Sequence, residues 1–277
     1  RFDLVDIERV EVLHGPQGTL FGRNTTGGAV NIITNKPTNQ FEGSIMLGAG
    51  NYDRREATGV VNMPLADGVS ARFVGRHMEH GGYGRNVFLK RDVGDDNYDH
   101  FRASLQIAPS DEWSLIISGE YVDRDTNGPM VRPTTFAPTV PASQYTVLPF
   151  YDSASEQQAF EKIRMFNSTA TLSVKVGDVT LKSISSYRDL KVHTLSDFDT
   201  IPTPLFFSEA TSNISQVSQE VQALGTTDSI DWIVGGFYFH ERGPERYDIF
   251  GGFLSYDSRI SHKSLAPYGQ VTVRLSD

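Results

Sequence analysis

Residues 113–122 read WSLIISGEYV, and this stretch is the most informative about the fold of the 277-residue chain. In an extended segment, Leu115 and Ile117 point to one side, while Ser118 and Glu120 point to the other. Alternation of apolar and polar residues with a period of two predicts a β-strand that has one apolar face and one polar face.

Similar alternation recurs along the chain from residue 41 onward. The predicted strands are 41–50, 54–63, 69–79, 98–107, 113–124, 164–176, 179–192, 214–224, 230–241 and 264–275. Most are longer than the five or six residues that are usual in soluble proteins, and they suit a tilted strand that crosses a bilayer in about nine to eleven residues. Such strands span a membrane only in a closed ring, because hydrocarbon offers no hydrogen-bond partner to the backbone.

The connections between these segments indicate how the strands are joined. After the first hairpin, turns such as Gly177-Asp178 alternate with long connections such as 125–163, 193–213 and 242–263. This rhythm is typical of membrane barrels, which have tight periplasmic turns and long outer loops. The predicted fold class is all-β: an antiparallel up-and-down transmembrane β-barrel, incomplete, with about ten strands.

Composition excludes several classes of protein. The net charge of −9 disfavours a nucleic-acid partner, which would need clustered cations. No run of about 18 apolar residues is present, so a helical membrane protein is excluded. Cysteine is absent, which removes thiolate metal sites and cysteine nucleophiles. We take both ends of the sequence as cut from a longer chain.

Residues 1–37 have a different pattern, in which two short alternating strands flank a glycine-rich run. The run contains Gly15-Pro16-Gln17-Gly18, which lacks both the lysine of a phosphate-binding P-loop and the spacing of a dinucleotide fingerprint. Glycine density of this kind permits positive φ angles and close backbone approach, as a compact domain inside a barrel requires.

Residues 7–34, IERVEVLHGPQGTLFGRNTTGGAVNIIT, closely resemble the C-terminal end of the plug in TonB-dependent receptors. Weaker phrases of the same family recur in the predicted barrel at 82–86, 218–221 and 267–270. The resemblance implies that 1–37 is the end of the plug domain and that 38–277 is the N-terminal part of the barrel. It also implies a location in the outer membrane of a Gram-negative bacterium.

The same resemblance implies energised uptake of a scarce nutrient, most often a ferric siderophore. The expected partners are TonB, through a segment upstream of residue 1, together with outer-membrane lipid and an iron chelate. A substrate-specific porin is one alternative, which the plug-like segment disfavours. A soluble β-rich carbohydrate-binding or hydrolytic domain is another, which the rhythm of the connections disfavours.

Two groups of side chains are candidate functional residues. The family's plug arginines contact barrel glutamates, although this chain has His14 where arginine is common; the candidates for these contacts are Glu8, Arg9, Glu11, Glu120 and Glu220. Aromatic residues in the long connections predict a vestibule for a bulky, partly planar ligand. They are Phe136, Tyr145, Phe150, Tyr151, Phe206, Phe207, Tyr247, Phe250 and Tyr256.

No enzyme motif is found in the sequence, and we predict neither catalytic residues nor a cofactor. The nearest approach to a metal site is His77-Met78-Glu79-His80. On a strand, the two histidines of this stretch project to opposite faces, so the sequence predicts no metal site there.

Overall fold

The computed structural model describes residues 4–15, 27–128, 149, 151–199, 201–203 and 206–275. Its strands are β1 (Ile7–His14), β2 (Gly28–Thr34), β3 (Glu42–Gly50), β4 (Arg54–Ala66), β5 (Val69–His80), β6 (Gly84–Asn86), β7 (Arg91–Val93), β8 (Asp96–Ser110), β9 (Trp113–Thr126), β10 (Phe160–Val176), β11 (Val179–Asp197), β12 (Phe207–Thr226), β13 (Ile230–Ile249) and β14 (Leu254–Val273).

Ten of these strands form one antiparallel sheet in the order β14-β13-β12-β11-β10-β9-β8-β5-β4-β3. Sequential neighbours pair throughout, apart from the small β6–β7 hairpin inserted between β5 and β8. The predicted all-β, up-and-down architecture is therefore confirmed. Among the described residues, β3 and β14 are the two edges of the sheet.

The two faces of the sheet differ as the sequence predicts. Ile117 pairs with Leu105 on β8 and with Ala170 on β10, on the outward face, where large apolar side chains such as Ile45 and Phe101 are exposed. The opposite face carries Arg102 and Glu120. Lipid outside the sheet and a polar lumen inside it account for this division.

The connections at one end of the strands are 67–68, 111–112, 177–178 and 227–229. Those at the other end are longer for the most part: 51–53, 81–95, 127–159, 198–206 and 250–253. Two predicted loops, 193–213 and 242–263, are wrong in extent, because β11 to β14 continue through most of them. Beyond the bilayer both faces of a strand meet water, so the apolar alternation fades while backbone pairing continues.

β1 and β2 form a separate antiparallel hairpin, with Val10 opposite Ile32, which we call the plug hairpin. The predicted boundary at residues 37 and 38 falls between this hairpin and β3. Asn62 on β4 is fully buried there, where its amide nitrogen donates to the carbonyl oxygens of Thr38 (2.9 Å) and Gln40 (2.5 Å). These bonds attach the connecting segment to the inner wall.

Candidate functional site

Asp6 lies directly before β1 and joins the two ends of the plug hairpin. Asn35, just after β2, donates its backbone N–H to the carbonyl of Asp6 (3.1 Å) and its side-chain amide to Oδ1 (2.8 Å). Asp6 has a φ of 53°, in the left-handed region that aspartate tolerates better than most residues. The carboxylate is thereby directed away from the hairpin.

Two arginines of the sheet hold this carboxylate. Arg72 on β5 donates from Nη2 to Oδ1 of Asp6 (2.6 Å) and from Nε to Oδ2 (2.8 Å), and Arg102 on β8 donates from Nη2 to Oδ2 (3.2 Å). Arg102 also donates to the carbonyls of Val5 and Asp6, both at 3.2 Å. We call Asp6, Arg72 and Arg102 the Asp6 clamp.

The Asp6 clamp is shielded from water. The side chains of Asp6, Arg72 and Arg102 are 4%, 10% and 6% exposed. Because little water screens these charges, the carboxylate and the guanidinium groups attract one another strongly, and separating them is costly. Burial alone would raise the pKa of Asp6, but hydrogen bonds from Arg72 and Asn35 and the charges of the two arginines outweigh it and lower the pKa. The carboxylate is therefore ionised at neutral pH.

The two predicted barrel glutamates occupy different surroundings on the inner face. Glu120 accepts a hydrogen bond from Nε2 of His100 (2.8 Å) and lies 3.9 Å from Nη1 of Arg102, so it adjoins the clamp. Glu220 bonds to Tyr268 and Gln222 within the barrel wall. The proposed contact of these glutamates with plug arginines stays a prediction.

The predicted plug residues bond to one another within the plug hairpin. Arg9 pairs with Glu8 and, at 2.7 Å, with Glu11, which also accepts from Asn31 of β2 (3.1 Å). The side chains of Arg9, Glu8 and Glu11 are 51%, 41% and 36% exposed. Their predicted contacts with the barrel also stay a prediction.

Asp6 itself was not among the candidates, although its position carries a local signal. It follows Val5 and precedes Ile7, so a lone carboxylate stands between apolar residues at the start of a strand. Its partners lie 66 and 96 residues away along the chain. Their inward direction follows from strand alternation, but their convergence on Asp6 requires the docked hairpin.

Some predicted vestibule aromatics meet at the end of the strands that carries the long connections. The ring of Phe206 lies 5.2 Å from that of Phe198 and 5.1 Å from that of Phe250, and we call these three residues the aromatic cluster. Backbone bonds from Phe198 to Phe206 (2.9 Å) and from Phe250 to Phe207 (3.0 Å) hold the connections together.

The other predicted vestibule residues are dispersed. Tyr247 and Tyr256 are opposite one another on β13 and β14, so they belong to strands and not to a loop as predicted. Both are exposed, as is Tyr151 in the 127–159 connection. Phe207 is the first residue of β12. Phe136, Tyr145 and Phe150 lie outside the described residues. A role in ligand binding stays a prediction for the whole set.

Neighbouring loops at this end of the strands contact one another. Asn86 of β6 is buried; its amide donates to the carbonyl of Ser155 (2.9 Å), and its Oδ1 accepts from the backbone N–H groups of Phe88 (3.1 Å) and Leu89 (3.0 Å). Backbone bonds between Arg85 and Ser153 (3.0 Å) and between Ser153 and Val87 (2.8 Å) reinforce the contact.

In the described part of the chain, one group of three carboxylates has the spacing to hold a cation: Glu156, Asp197 and Asp199, with ligand atoms within 4.8 Å of one another. Burial, followed by the charges of the two aspartates, raises the pKa of Glu156 to about 7. The two histidines considered in the sequence diverge: His77 pairs with Asp99 on the outward face (2.8 Å), whereas His80 is buried.

Within the described residues, no helix has the length and apolar character needed to cross a bilayer. No family model matches the chain. A 132-residue stretch, 46% of this chain, is 30% identical to the ferripyoverdine receptor of Pseudomonas aeruginosa. A 134-residue stretch, 44% of this chain, is 36% identical to the iron-regulated outer membrane virulence protein of Vibrio cholerae. These stretches span 15% and 19% of the two relatives, so this chain matches less than a fifth of their length.

The fold agrees with the sequence relatives. The structure of the ferric yersiniabactin uptake receptor from Yersinia pestis superposes with a TM-score of 0.81 and 19% identity, covering 98% of this chain and 42% of that one. This chain is similar to TonB-dependent receptors in sequence and in fold. The resemblance read from residues 7–34 is thus confirmed, and with it the location of the TonB-dependent receptor in the outer membrane of a Gram-negative bacterium. The relatives are receptors and not enzymes.

Proposed function

We propose that this chain supplies the end of the plug and the first part of the barrel of a receptor that takes up a ferric siderophore, with TonB providing the force that displaces the plug. The observation that carries the proposal is the Asp6 clamp, in which a plug residue is held by two arginines of the inner wall. A porin needs no such plug, and a soluble sandwich would cover the polar face with a second sheet.

The clamp suits a part that must be retained and yet moved. Hydrogen-bonded ion pairs hold strongly while they are shielded, but each member regains water when the pair separates. An apolar interface of similar strength would instead have to expose its surface to a wet lumen. In this proposal, the force acts on plug segments that precede the hairpin and separates Asp6 from its two arginines.

The aromatic cluster supports the choice of ligand. Phe198, Phe206 and Phe250 offer apolar ring surface at the outer mouth, where half of each Phe206 and Phe250 side chain faces solvent. Aromatic rings of this kind bind planar groups such as catecholates or chromophores by stacking. The chemical class of the chelate is part of the proposal.

The test is transport by the full-length receptor in its own cell. Deletion of the gene should slow growth under iron limitation, and uptake of radiolabelled ferric siderophore should stop both on loss of TonB and on addition of a proton uncoupler. Uptake that persists with the uncoupler and falls only with concentration would favour a porin and refute the proposal.

A pair of variants tests the ligand assignment. Phe206→Ala combined with Phe250→Ala should weaken siderophore binding about thirtyfold, because each stacked ring contributes on the order of 1 kcal/mol. Phe88→Ala is the matched control, since Phe88 is a half-exposed phenylalanine in the separate 81–95 connection. Equal binding by both variants would remove the aromatic cluster from the ligand site.

A further inference from the structure

Arginines recur along the inner wall between the outer mouth and the Asp6 clamp. Arg124 on β9 donates from Nε and Nη2 to the carboxylate of Asp96 on β8, at 2.8 and 3.0 Å. Arg76 on β5 lies 3.5 Å from Glu56 on β4. The carboxylates that balance these two arginines belong to the sheet, so the charges stay balanced when the plug moves.

The arginines of the Asp6 clamp differ, because the plug supplies their main acceptor. Asp6 occupies the Nε–Nη2 edge of Arg72 (2.8 and 2.6 Å), and Nη2 of Arg102 donates to its Oδ2 and to its carbonyl oxygen, both at 3.2 Å. The nearby glutamates use other atoms. Glu42 lies 3.3 Å from Nη1 of Arg72, and Glu120 lies 3.9 Å from Nη1 of Arg102. The glutamates therefore do not replace Asp6 at the Nε and Nη2 donors.

Departure of Asp6 opens a defined anion site. Nε and Nη2 of Arg72 and Nη2 of Arg102 converge on the two oxygens of a single carboxylate. The planar guanidinium edge matches a carboxylate in a bidentate pair, which an amide or a hydroxyl cannot reproduce. Because both arginines lie almost entirely within the protein, losing the acceptor is costly, and a second carboxylate would restore it.

The site lies near the end of the path that a transported ligand follows. Arg72 is the fourth residue of β5, which starts directly after the short 67–68 connection. Arg102 lies opposite Val74, two residues further along β5. Short turns face the periplasm in membrane barrels. A ligand that enters at the outer mouth therefore meets these two arginines late in its passage.

We propose that Arg72 and Arg102 form a carboxylate site that serves two acceptors in turn: Asp6 at rest, and a carboxylate of the transported chelate once Asp6 has been pulled away. The ligand class is an iron chelate that keeps at least one carboxylate free of the metal. While the chelate occupies the site, Asp6 cannot return, and its departure lets the plug hairpin dock again. The second acceptor rests on the proposed function, whereas the exchange of one carboxylate for another does not.

The first experiment replaces the side chain of Asp6 by a free molecule of the same chemistry. Asp6→Gly suits this purpose, because glycine adopts the φ of 53° freely, and acetate matches the missing CH₂–COO⁻ group. Hydrogen exchange of the β1 amides is measured in the full-length receptor in detergent. Acetate at about ten times its Kd, replacing chloride at equal ionic strength, should slow exchange in Asp6→Gly about tenfold. Acetamide, the neutral counterpart, should have no effect.

Four comparisons give the acetate result its meaning. The wild-type receptor should not respond, because Asp6 fills the site. Asp6→Gly combined with Arg72→Gln should lose the response, and the milder Arg72→Lys, which keeps the charge without the bidentate edge, should weaken it.

Arg188→Gln is the matched control, because Arg188 is an exposed arginine of β11 that the strand register places level with Glu120. In the Asp6→Gly background it should leave the acetate response within about twofold. Heat-modifiable migration on gels checks that each variant folds. Equal exchange in acetate and in chloride, or an equal response of the wild type, would overturn the carboxylate site.

Block of the opened channel tests the second acceptor. The full-length receptor is placed in a planar bilayer and opened with urea, with citrate and its neutral triethyl ester as the two probes. Citrate should reduce the current, triethyl citrate should not, and Arg72→Gln should require about tenfold more citrate for the same block. Equal block of wild type and Arg72→Gln would refute the second acceptor. Uptake that persists with an uncoupler would refute the proposed function instead, and the acetate response of Asp6→Gly would remain.

Discussion

Replacing Asp6 by asparagine tests the Asp6 clamp most directly. Asp6→Asn keeps the shape of the side chain but removes the charge that two buried guanidinium groups share. The amide oxygen still accepts hydrogen bonds from arginine. The NH₂ group cannot, although it takes the place of a carboxylate oxygen that accepts hydrogen bonds from arginine in the native chain. The plug hairpin should therefore detach from the inner wall more readily, although its own β1–β2 pairing persists.

The size of the effect follows from burial. Breaking a buried pair by removing one partner costs about 3–5 kcal/mol. Because asparagine retains part of the hydrogen bonding, we expect the lower end of this range, about 3 kcal/mol, for detachment of the hairpin. Each 1.4 kcal/mol is a factor of ten, so backbone amides protected by docking should exchange with deuterium about 100-fold faster.

Hydrogen exchange of the full-length receptor in detergent, read in peptides from residues 7–14, measures this directly. Asp67→Asn is the matched control, because Asp67 is exposed in the β4–β5 turn. A double-mutant cycle with Arg72→Gln should give a coupling energy of about 1–3 kcal/mol. If exchange in β1 stays within about twofold of wild type, or if the two substitutions are additive, the clamp does not hold the plug.

Three further predictions concern pH and the loops. Because the pKa of Asp6 is lowered, its stabilising effect is present above the ordinary pKa of 3.8 and is lost as pH falls through the pKa of the folded state. The backbone amides of the plug hairpin should therefore stay protected at pH 5 and exchange rapidly only below pH 3.8. Because the pKa of Glu156 is raised from 4.5 to about 7, its contribution to stability is full below pH 4.5 and is lost as pH rises through 7. The backbone amides of residues 151–159 should therefore exchange faster at pH 8 than at pH 6 after correction for intrinsic rates. Glu156→Gln should abolish this difference. Asn86→Ala should leave buried backbone groups without hydrogen-bond partners, at a cost of about 2 kcal/mol, and make residues 151–159 sensitive to protease. Asn51→Ala, at an exposed turn, should have neither effect.

Much of the barrel could be predicted because its physics is local to each strand. Lipid on one side and water on the other impose an alternation that is visible in any ten residues, as in 113–122. Each of the ten predicted strands corresponds to one strand of the large sheet. The ends could not be predicted in the same way: β12 begins at Phe207, seven residues before the predicted start at 214, since outside the bilayer only backbone pairing maintains the strand.

The candidate site was less predictable because its contacts join distant parts of the chain. Aromatic content drew attention to the connections that contain Phe206 and Phe250, but the sequence does not reveal that the two rings come within 5.1 Å. The family resemblance directed attention to contacts between plug arginines and barrel glutamates, which stay a prediction, whereas the described contact between a plug aspartate and two barrel arginines was not predicted from the sequence.

The charge arrangement of the Asp6 clamp has a physical consequence for how the plug is held. A single carboxylate between two guanidinium groups leaves the clamp with one excess positive charge, which Glu42 (3.3 Å from Arg72) and Glu120 (3.9 Å from Arg102) are placed to balance. Both glutamates belong to the sheet, so the arginines remain partly neutralised when Asp6 leaves. Departure of the plug therefore costs less than separating an isolated buried pair would, and the inner wall is prepared for the plug to return.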